Sequence, residues 1–392
     1  MKQLSLEKKD IYNRYLAAHH LYPRLKQNDI LTACQTVGLQ DYFFASVEVF
    51  LAARVADIAQ EDVKQLWKEQ KLMRTVGLED KVKIIATKMW GVFNGSLAFR
   101  NRTELEHMLG PIEDLIALLG IDIFKIYKLL IKTTTSSLKN KRRSKKYLYE
   151  SLSQAVLSEL TASQREIWYW PSSIAEGQTL GDSIIDILLP TVGFAVPIVL
   201  EKLPGRPDYQ FTLANTFQEP NTAELVRQFV HAYGPTNAEE FAAWASISIS
   251  HAQRLWLELP QDELVLVNYG ENTGYVLAKD CHEISHAPIA EGVRFIGPYD
   301  PLLHIPQRNL LVSGKTLFTY FFRAENRPGM VLYDGKVVAG WHFKSKKRTF
   351  SILIEDIGES FGRIATDELT AAIAHLGRVL GMENEGFSHV DV

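Results

Sequence analysis

Two runs of basic residues have the composition needed to bind phosphate groups. The first, between Ile123 and Tyr149, holds nine lysines and arginines and no acidic residue. The whole chain has a formal charge of −3, so removing these nine positive charges leaves −12 on the remainder. Such segregation gives one region a field that attracts polyanions, although charge runs also occur on solvated loops. In this run we predict DNA contacts from Lys141, Arg142 and Arg143.

The second basic run is short and lies at a predicted hairpin tip. The segment KSKK joins two strand-like stretches, GWHF and RTFSILIEDI. A cationic hairpin tip has the reach to touch a DNA groove or backbone, and the alternative is a solvated turn. The residues concerned are Lys344, Lys346, Lys347 and Arg348.

One five-residue segment matches the H-E-x-x-H pattern of zinc hydrolases. His282 and His286 would be the zinc ligands, with Glu283 as the base. That chemistry needs both histidines on one face of a continuous helix, together with a third ligand. Here a strand-like stretch precedes the pattern and Pro288 follows it, which favours an exposed connector. We therefore predict no metal.

Two further patterns give weaker signals. Ser313-Gly314-Lys315-Thr316 is similar to the end of a phosphate-binding loop, but Asn309 occupies the position of the required first glycine. A strand is also predicted after it, so we reject the loop. The cluster Trp168, Tyr169 and Trp170 would suit base stacking, although aromatic clusters near helix ends more often belong to a core.

The composition indicates a globular protein large enough for several cores. The chain has 392 residues, of which 46% are hydrophobic and 23% charged. Its two cysteines are too few for a disulfide framework, and the polar start MKQLSLEKKD does not have the pattern of a secretory signal. The uncharged stretch 187–200 is too short to cross a bilayer and contains two prolines. We expect a cytoplasmic protein without membrane contact.

The order of predicted elements favours an α+β fold of tandem winged helices. Residues 220–280 contain three helix signals followed by two strand-like runs around GENTG, which is the order of a winged helix-turn-helix. Helix starts are predicted from Asn221 with Glu224, Thr236 with Glu239, and Ser250 with Gln253, and Gly234-Pro235 ends the first helix.

Similar orders upstream predict three winged-helix units and a C-terminal β-rich segment that ends in a helix. In that last segment, VRFIGPYD, KTLFTYFFRA, GMVLYDGKVVAGWHF and RTFSILIEDI are predicted strands, with Asp334-Gly335 as a tight turn. The final helix is predicted at about 367–380. The predicted domains are 1–132, 133–219, 220–282 and 283–392.

Three segments carry a resemblance to a known family. They read AYGPT at 232–236, followed by Phe241 and Trp244, GPYDP at 297–301, and DGKVVAGW at 334–341. The chain resembles the AlkZ-like DNA glycosylases, a bacterial group of winged-helix proteins, over nearly its whole length. This resemblance implies hydrolysis of the N-glycosidic bond of bulky or cross-linking alkylated purines in DNA.

The resemblance also implies a catalytic pair in the pattern Q-x-Q after Gly-Leu. Gly38-Leu39-Gln40 matches it, whereas the second glutamine position holds Tyr42. A phenol hydroxyl can hold a water molecule, and the neighbouring Asp41 is a further candidate. Gln40, Asp41 and Tyr42 are therefore the predicted catalytic residues, and a structural role at a helix end is the alternative for Gln40.

A second motif of the family is also altered. Where many members carry R-G-T-L-H, this chain has Glu79-Asp80-Lys81-Val82-Lys83. Lys81 and Lys83 are predicted to contact DNA. The two departures leave open a second hypothesis, a protein that binds DNA or shields a lesion without catalysis. A third is a zinc hydrolase through His282 and His286. Under the first two hypotheses, we expect the protein to be a monomer that binds double-stranded DNA and needs no cofactor.

Overall fold

The computed structural model describes residues 4–36, 38–42, 45–77, 82–203, 208–323, 325–358 and 361–391. Its α-helices are α1 (Lys8–Ala18), α2 (Ile30–Thr36), α3 (Ser46–Arg54), α4 (Gln60–Lys68), α5 (Trp90–Phe93), α6 (Arg102–Glu106), α7 (Glu113–Leu119), α8 (Ile123–Leu138), α9 (Lys145–Glu159), α10 (Ala162–Trp168), α11 (Leu180–Val192), α12 (Thr222–Tyr233), α13 (Ala238–Ala245), α14 (Ile249–Trp256), α15 (Cys281–Ser285), α16 (Lys315–Phe322) and α17 (Thr366–Leu380).

The strands complete an α+β fold, which confirms the predicted class. They are β1 (Leu4–Ser5), β2 (Leu39–Gln40), β3 (Leu72–Val76), β4 (Val82–Ala86), β5 (Arg143–Ser144), β6 (Ile198–Lys202), β7 (Tyr209–Leu213), β8 (Leu264–Tyr269), β9 (Asn272–Leu277), β10 (Val293–Ile296), β11 (Gly329–Tyr333), β12 (Lys336–Lys346), β13 (Thr349–Asp356) and β14 (Glu383–Asp391). Among the described residues, no helix combines the length and apolar character needed to cross a bilayer.

The chain forms two compact units, each built from separate stretches of sequence. Unit 1 comprises 1–72, 226–240 and 259–392, and unit 2 comprises 73–225 and 241–258. In unit 1, a five-stranded sheet has the order β10-β11-β12-β13-β14. Helices α3 and α17 pack on each other and on β10. The buried imidazole of His375 on α17 donates from Nε2 to the Ala52 carbonyl oxygen at 3.1 Å and is 3.2 Å from that of Val55.

Unit 2 is organised around α8, α9 and α11, beside a small sheet in the order β5-β7-β6. Helix α8 buries one face because its apolar residues recur at helical spacing, as at Ile123, Ile126 and Leu130. Gly181 on α11 permits a close approach: a Cβ there would lie 2.0 Å from the ring of the buried Trp168. A larger residue at 181 would displace that tryptophan.

Several predicted elements are confirmed. Helices α12, α13 and α14 precede the antiparallel pair β8 and β9, in the order expected at 220–280. The Asn221 side chain accepts a hydrogen bond from the Glu224 N–H at 3.0 Å, and α12 ends just before Gly234-Pro235. The β11–β12 hairpin turns at Asp334 and Gly335, both with positive φ, and α17 ends at Gly381 as expected.

Two predicted helix starts are displaced. Thr236 pairs with Tyr275 through both backbone hydrogen bonds, so α13 begins later, with Asn237 accepting from the Glu240 N–H at 2.9 Å. Helix α14 is capped by Ser248 and not by Ser250, since the Ser248 hydroxyl accepts from the His251 N–H at 3.2 Å. In both cases a neighbouring polar side chain supplies the cap.

The prediction of a strand over KTLFTYFFRA is wrong, because Lys315–Phe322 is helix α16. Phe318 and Phe322 are spaced i and i+4, and their ring centroids lie 4.7 Å apart on the helix surface, a contact that a strand would not allow. A helix therefore does follow Gly314, contrary to one reason for rejecting a phosphate-binding loop there. Asn309 still occupies the position of the first required glycine.

Candidate functional site

Gln40 and Tyr42 line the same pocket of unit 1. Strand β2 ends at Gln40, and the chain turns at Asp41 before it reaches Tyr42. The pocket encloses about 240 Å³, part of which is open to solvent. Its lining residues are Leu39, Gln40, Tyr42, Ser46, Val49, Phe50, Gly297, Tyr299 and Asp300.

The backbone turn between β2 and α3 holds Tyr42 in this position. The Tyr42 N–H lies 3.1 Å from the hydroxyl oxygen of Ser46, the first residue of α3, and 3.1 Å from the Gln40 carbonyl oxygen. Within the described part of the chain, the Gln40 carboxamide makes no hydrogen bond to protein. Its oxygen and nitrogen are therefore available to a water molecule or a ligand.

Asp41, the third predicted catalytic residue, lies between the two but is not among the residues that line the pocket. Its side chain is half-buried and engaged in a contact of its own. The structure thus brings Gln40 and Tyr42 together and leaves Asp41 outside the pocket lining.

A buried ion pair lies at the closed side of the pocket. Both oxygens of Asp300 accept hydrogen bonds from the Arg54 guanidinium, at 2.7 and 2.6 Å, and each side chain is only 1% exposed. Asp300 Oδ1 also accepts from the Leu302 N–H at 2.9 Å, and Arg54 lies over the Phe50 ring at 4.0 Å. Because both partners are held by several hydrogen bonds, this side of the pocket is fixed in geometry.

Tyr42 packs on a second tyrosine of the pocket. The ring centroids of Tyr42 and Tyr299 lie 3.8 Å apart, and the Arg327 guanidinium carbon lies 4.7 Å from the centroid of Tyr299. Burial raises the pKa of the Tyr299 phenol, and the neighbouring Tyr42 adds to this shift. Tyr42, with 51% of its surface exposed, offers a ring face to the opening.

The basic run of unit 2 is partly neutralised by acidic neighbours. Arg142 forms an ion pair with Glu201, and Arg143 lies over the Tyr147 ring at 4.2 Å with its Nε buried. Lys141 is exposed. Elsewhere in the run Lys125, Lys145 and Lys146 pair with acidic residues, so the field at this surface is weaker than the nine positive charges alone suggest.

Of the two lysines in the altered motif, Lys81 lies outside the described residues, as do Glu79 and Asp80. Lys83 is on β4, half-buried, with its ammonium 5.9 Å from the centroid of the Trp244 ring. The motif lysine that the structure describes therefore packs against an aromatic ring of the same unit.

The predicted basic hairpin is present between β12 and β13. Lys346 pairs with Thr349 in the ladder, and Lys347 and Arg348 form the two-residue turn, with Lys347 at a φ of 56°. Lys344, Lys346, Lys347 and Arg348 are all exposed, and none forms an ion pair with any described residue. This hairpin tip is the more available of the two predicted phosphate-binding surfaces.

Within the described part of the chain, the zinc-hydrolase pattern lacks the geometry that zinc binding needs. Helix α15 has five residues and ends at Ser285. The rings of His282 and His286 are stacked at 4.4 Å, and the His286 Nδ1 lies 2.9 Å from the His282 carbonyl oxygen. Among the described residues, no third His, Cys, Asp or Glu joins them in a group able to hold a metal. This geometry gives no support to a zinc hydrolase.

The aromatic cluster divides between core and surface. Trp168 is 1% exposed and donates from Nε1 to the Ser153 hydroxyl at 3.3 Å, so it is a core residue. Tyr169 and Trp170 are 61% and 50% exposed. Base stacking by those two exposed rings stays a prediction.

Sequence reasoning missed Tyr299, Arg54 and Arg327 as neighbours of the candidate pocket. Tyr299 and Asp300 belong to the GPYDP segment that carried the family resemblance, so a signal was present at those positions. Arg54 lies inside an apolar helix signal, FASVEVFLAARVADI, where a single arginine on a buried face indicates a carboxylate partner elsewhere in the chain.

Comparison with known proteins identifies the family. A model of the DNA glycosylase AlkZ-like family matches residues 151–379. The interstrand DNA cross-link repair glycosylase of Streptomyces sahachiroi is 24% identical over 170 residues, a region that spans 42% of this chain and 44% of that protein. The solved structure of the Streptomyces sahachiroi DNA glycosylase AlkZ superposes with a TM-score of 0.74 at 16% identity, covering 99% of this chain and 100% of the other. The chain belongs to the AlkZ-like DNA glycosylase family.

Proposed function

We propose that this protein is a DNA glycosylase that hydrolyses the N-glycosidic bond of alkylated purines. The observation that carries the proposal is that Gln40 and Tyr42 line one open pocket in a chain of this family. The name of the Streptomyces sahachiroi relative supports action on damaged DNA, and on cross-linked DNA in particular.

The chemistry requires little of the protein beyond positioning. An N7-alkylated purine carries a positive charge, so the bond between the sugar C1′ and N9 breaks with its electron pair going to the base. Water then adds to the sugar cation, and its proton passes to solvent. The Gln40 carboxamide oxygen can accept a hydrogen bond from that water and orient it, and the Tyr42 hydroxyl can hold it from the other side. No metal or other cofactor is needed for these steps.

The shape of the pocket supports bulky adducts as substrates. The pocket opens to solvent, and Tyr42, one of its lining residues, is 51% exposed. A base carrying a large substituent would therefore lie against Gln40 and Tyr42 without having to be enclosed. We infer that bulky and cross-linking lesions fit this site better than they would fit a closed pocket.

The test is base release from duplex DNA carrying N7-methylguanine or a bulky N7 adduct, detected as alkali-labile abasic sites. We expect Gln40→Ala to slow release by about 100-fold, as removal of a positioning or proton-accepting group typically does. The matched control is Gln65→Ala, an exposed glutamine on α4. Equal rates for Gln40→Ala and the parent would remove Gln40 from catalysis.

A second candidate function is DNA binding or lesion shielding without catalysis. It is favoured by one observation: a tyrosine, Tyr42, stands where the family pattern has its second glutamine. This candidate predicts salt-dependent binding of the same duplexes with no base release. In both candidates Lys346→Ala/Lys347→Ala should lower the slope of log affinity against log salt by about 0.9 for each phosphate that the two lysines neutralise. The control pair Lys8→Ala/Lys9→Ala, also exposed and adjacent, should leave the slope unchanged.

We further propose that the protein acts on double-stranded DNA as a monomer in a bacterial cytoplasm, through three winged-helix units at 1–132, 133–219 and 220–282 and a β-rich segment at 283–392. The helix–helix–helix–hairpin order at 222–277 supports this, because the third helix of such a unit can enter the major groove. Several modules in one chain need no symmetric partner to cover a duplex. Lys81, Lys83, Lys141, Arg142 and Arg143 are proposed DNA contacts of the first two modules, and Asp41 remains a proposed catalytic helper.

A further inference from the structure

Three arginines of unit 1 form a cluster that reaches the wall of the Gln40 pocket. Each guanidinium lies over an aromatic ring: Arg308 over Phe322 at 5.1 Å, Arg323 over Tyr320 at 5.1 Å, and Arg327 over Tyr299 at 4.7 Å. Tyr299 is the ring that packs on Tyr42. We call Arg308, Arg323 and Arg327 the arginine cluster.

The arginine cluster has no carboxylate partner among the residues that the structure describes. Glu325, the acidic residue nearest in sequence, is exposed and pairs with none of them. Glu355 accepts a hydrogen bond from Tyr320 and lies 3.1 Å from the His342 Nε2, so it is already engaged.

Three other arginines of the same unit are neutralised by a carboxylate. The guanidinium groups of Arg14, Arg54 and Arg227 lie 2.6, 2.6 and 2.7 Å, respectively, from a carboxylate oxygen. Removing a guanidinium from water without such a partner is unfavourable. Arg308 and Arg327 differ from these three arginines in having no carboxylate partner within the described residues, so an anionic ligand could pair with them.

The backbone holds the cluster in place while leaving donors available. Arg327 donates from Nε to the Arg323 carbonyl oxygen at 3.1 Å and from Nη2 to that of Phe322 at 3.4 Å. A guanidinium has five N–H donors, so three remain on Arg327. Arg308 is half-buried, and within the described residues its guanidinium makes no hydrogen bond, so all five of its side-chain donors are available.

The charges of Arg308 and Arg327 act on each other. Burial lowers the pKa of Arg308, and the positive charge of Arg327 lowers it further. Two like charges held close together without a counterion favour binding of an anion between them. Planar guanidinium forks match the oxygens of a phosphate group well.

We propose that Arg308 and Arg327 clamp one backbone phosphate of the DNA strand whose damaged nucleotide lies at the Gln40 pocket. This inference rests on the proposed function, because that function places a nucleotide at Gln40 and Tyr42. The clamp would fix the register of the strand, so that the sugar of the damaged nucleotide faces Gln40. It assigns these residues a positioning role in addition to the hairpin contacts predicted above.

The test measures affinity of the full chain for a duplex that carries a tetrahydrofuran abasic-site analogue. One phosphate at a time on either side of the analogue is replaced by an uncharged methylphosphonate. We expect the parent protein to lose about tenfold in affinity at one flanking position, and Arg308→Ala to lose a similar amount on the unmodified duplex. Arg308→Ala should then lose clearly less affinity than the parent on replacement of that phosphate, because only Arg327 is left to contact it. For Arg308→Ala, the slope of log affinity against log salt should fall by about 0.9.

Arg363→Ala, an exposed arginine of the same unit, is the charge-matched control and should respond to every methylphosphonate as the parent does. Arg308→Gln keeps the side-chain stem and provides a second variant if Arg308→Ala is poorly folded. If both Arg308 variants respond to the methylphosphonate scan as the parent does, the clamp is refuted.

The outcomes separate the clamp from the proposed function. Base release by the parent together with an unchanged scan in the Arg308 variants refutes the clamp alone. A position-specific loss in the Arg308 variants without any base release by the parent supports the phosphate contact and refutes the glycosylase function. No binding of any of these duplexes by the parent refutes both.

Discussion

Tyr42 differs from the glutamine of the family pattern in what it can offer a water molecule. A phenol hydroxyl presents one oxygen at the end of a rigid ring, whereas a carboxamide oxygen is a stronger acceptor on a shorter, mobile stem. Tyr42 is also held against Tyr299, with ring centroids 3.8 Å apart. Packing of the Tyr42 ring therefore restricts the directions in which its hydroxyl can point.

We expect Tyr42→Gln to raise the rate of base release by about tenfold, because it supplies a second carboxamide oxygen to orient the attacking water. Single-turnover release from N7-methylguanine duplexes measures this. Tyr42→Phe is the matched variant: it keeps the ring and its packing on Tyr299 and removes only the hydroxyl, so it should be slower than the parent. A Tyr42→Phe rate equal to that of the parent would show that the hydroxyl takes no part.

The buried ion pair beside the pocket carries a second prediction. Arg54→Ala leaves Asp300 charged, buried and short of two hydrogen bonds, so it should lower the free energy of unfolding by about 3–5 kcal/mol. Urea denaturation followed by circular dichroism measures the change. Arg24→Ala is the control, since Arg24 is half-buried and its Nε donates only to the Ala53 carbonyl oxygen, at 3.3 Å. A loss no greater than that of the control would mean that the pair is dispensable.

At the scale of single elements, substitutions at the start of α14 can show whether Ser248 or Ser250 caps the helix. The Ser248 hydroxyl accepts from the His251 N–H, and Ser250 lies two residues further on, with its Oγ 3.2 Å from that of Ser248. We expect Ser248→Ala to destabilise unit 2 by about 1 kcal/mol, because one N–H at the helix start loses its acceptor. Ser250→Ala should stay within about 0.5 kcal/mol of the parent. Urea midpoints compare the two, and the reverse order would restore Ser250 as the cap.

Elements with strong local signals were predictable from the sequence. The Asp334-Gly335 turn and the glycine after α17 need backbone conformations that particular residues favour, so their residue types identify them. Helix α16 was not predictable in this way, because KTLFTYFF is rich in residues that favour strands.

Strand β14 gave no signal at all. It pairs in parallel with β13 at the edge of the sheet, and most of its residues from Glu383 to Val390 are exposed, so the alternation of apolar and polar residues that marks a half-buried strand is absent. Edge strands formed through backbone pairing alone are hard to detect from composition.

The candidate site was predictable only in its first strand. Gln40 and Tyr42 follow from a family resemblance at Gly38-Leu39-Gln40, whereas their neighbours Tyr299 and Arg327 are more than 250 positions away in sequence. Their proximity depends on the packing of unit 1, which local spacing does not encode. The same applies to the arginine cluster, whose members have no distinctive sequence pattern and are brought together by the packing of unit 1.

For the molecule as a whole, buried histidines make stability depend on pH. Burial lowers the pKa of His251 in unit 2 and of His375 in unit 1 from 6.5 to about 4 in each case. Between these values the unfolded chain binds more protons than the folded one. Stability is therefore complete above about pH 6.5 and is lost as the pH falls toward 4, by about 1.4 kcal/mol per pH unit for each histidine.

Urea denaturation at pH 7 and at pH 5 measures this loss. His375→Gln, which keeps a donor for the Ala52 carbonyl oxygen, should remove part of the pH dependence, whereas His107→Gln, at an exposed position, should leave it intact. An unchanged pH dependence in His375→Gln would exclude that residue as a cause.

The division of unit 1 into separate stretches of chain affects the order in which it can be made. Arg54 meets Asp300 across 246 positions, and Gln60 donates to the Leu380 carbonyl oxygen across 320. On the ribosome, α1 to α4 emerge long before the sheet and α17 that cover them, while every segment of unit 2 has been synthesised by residue 258. The apolar surfaces of α1 to α4 therefore stay uncovered until the sheet and α17 have been synthesised. During this interval the nascent protein is most exposed to aggregation and to proteases.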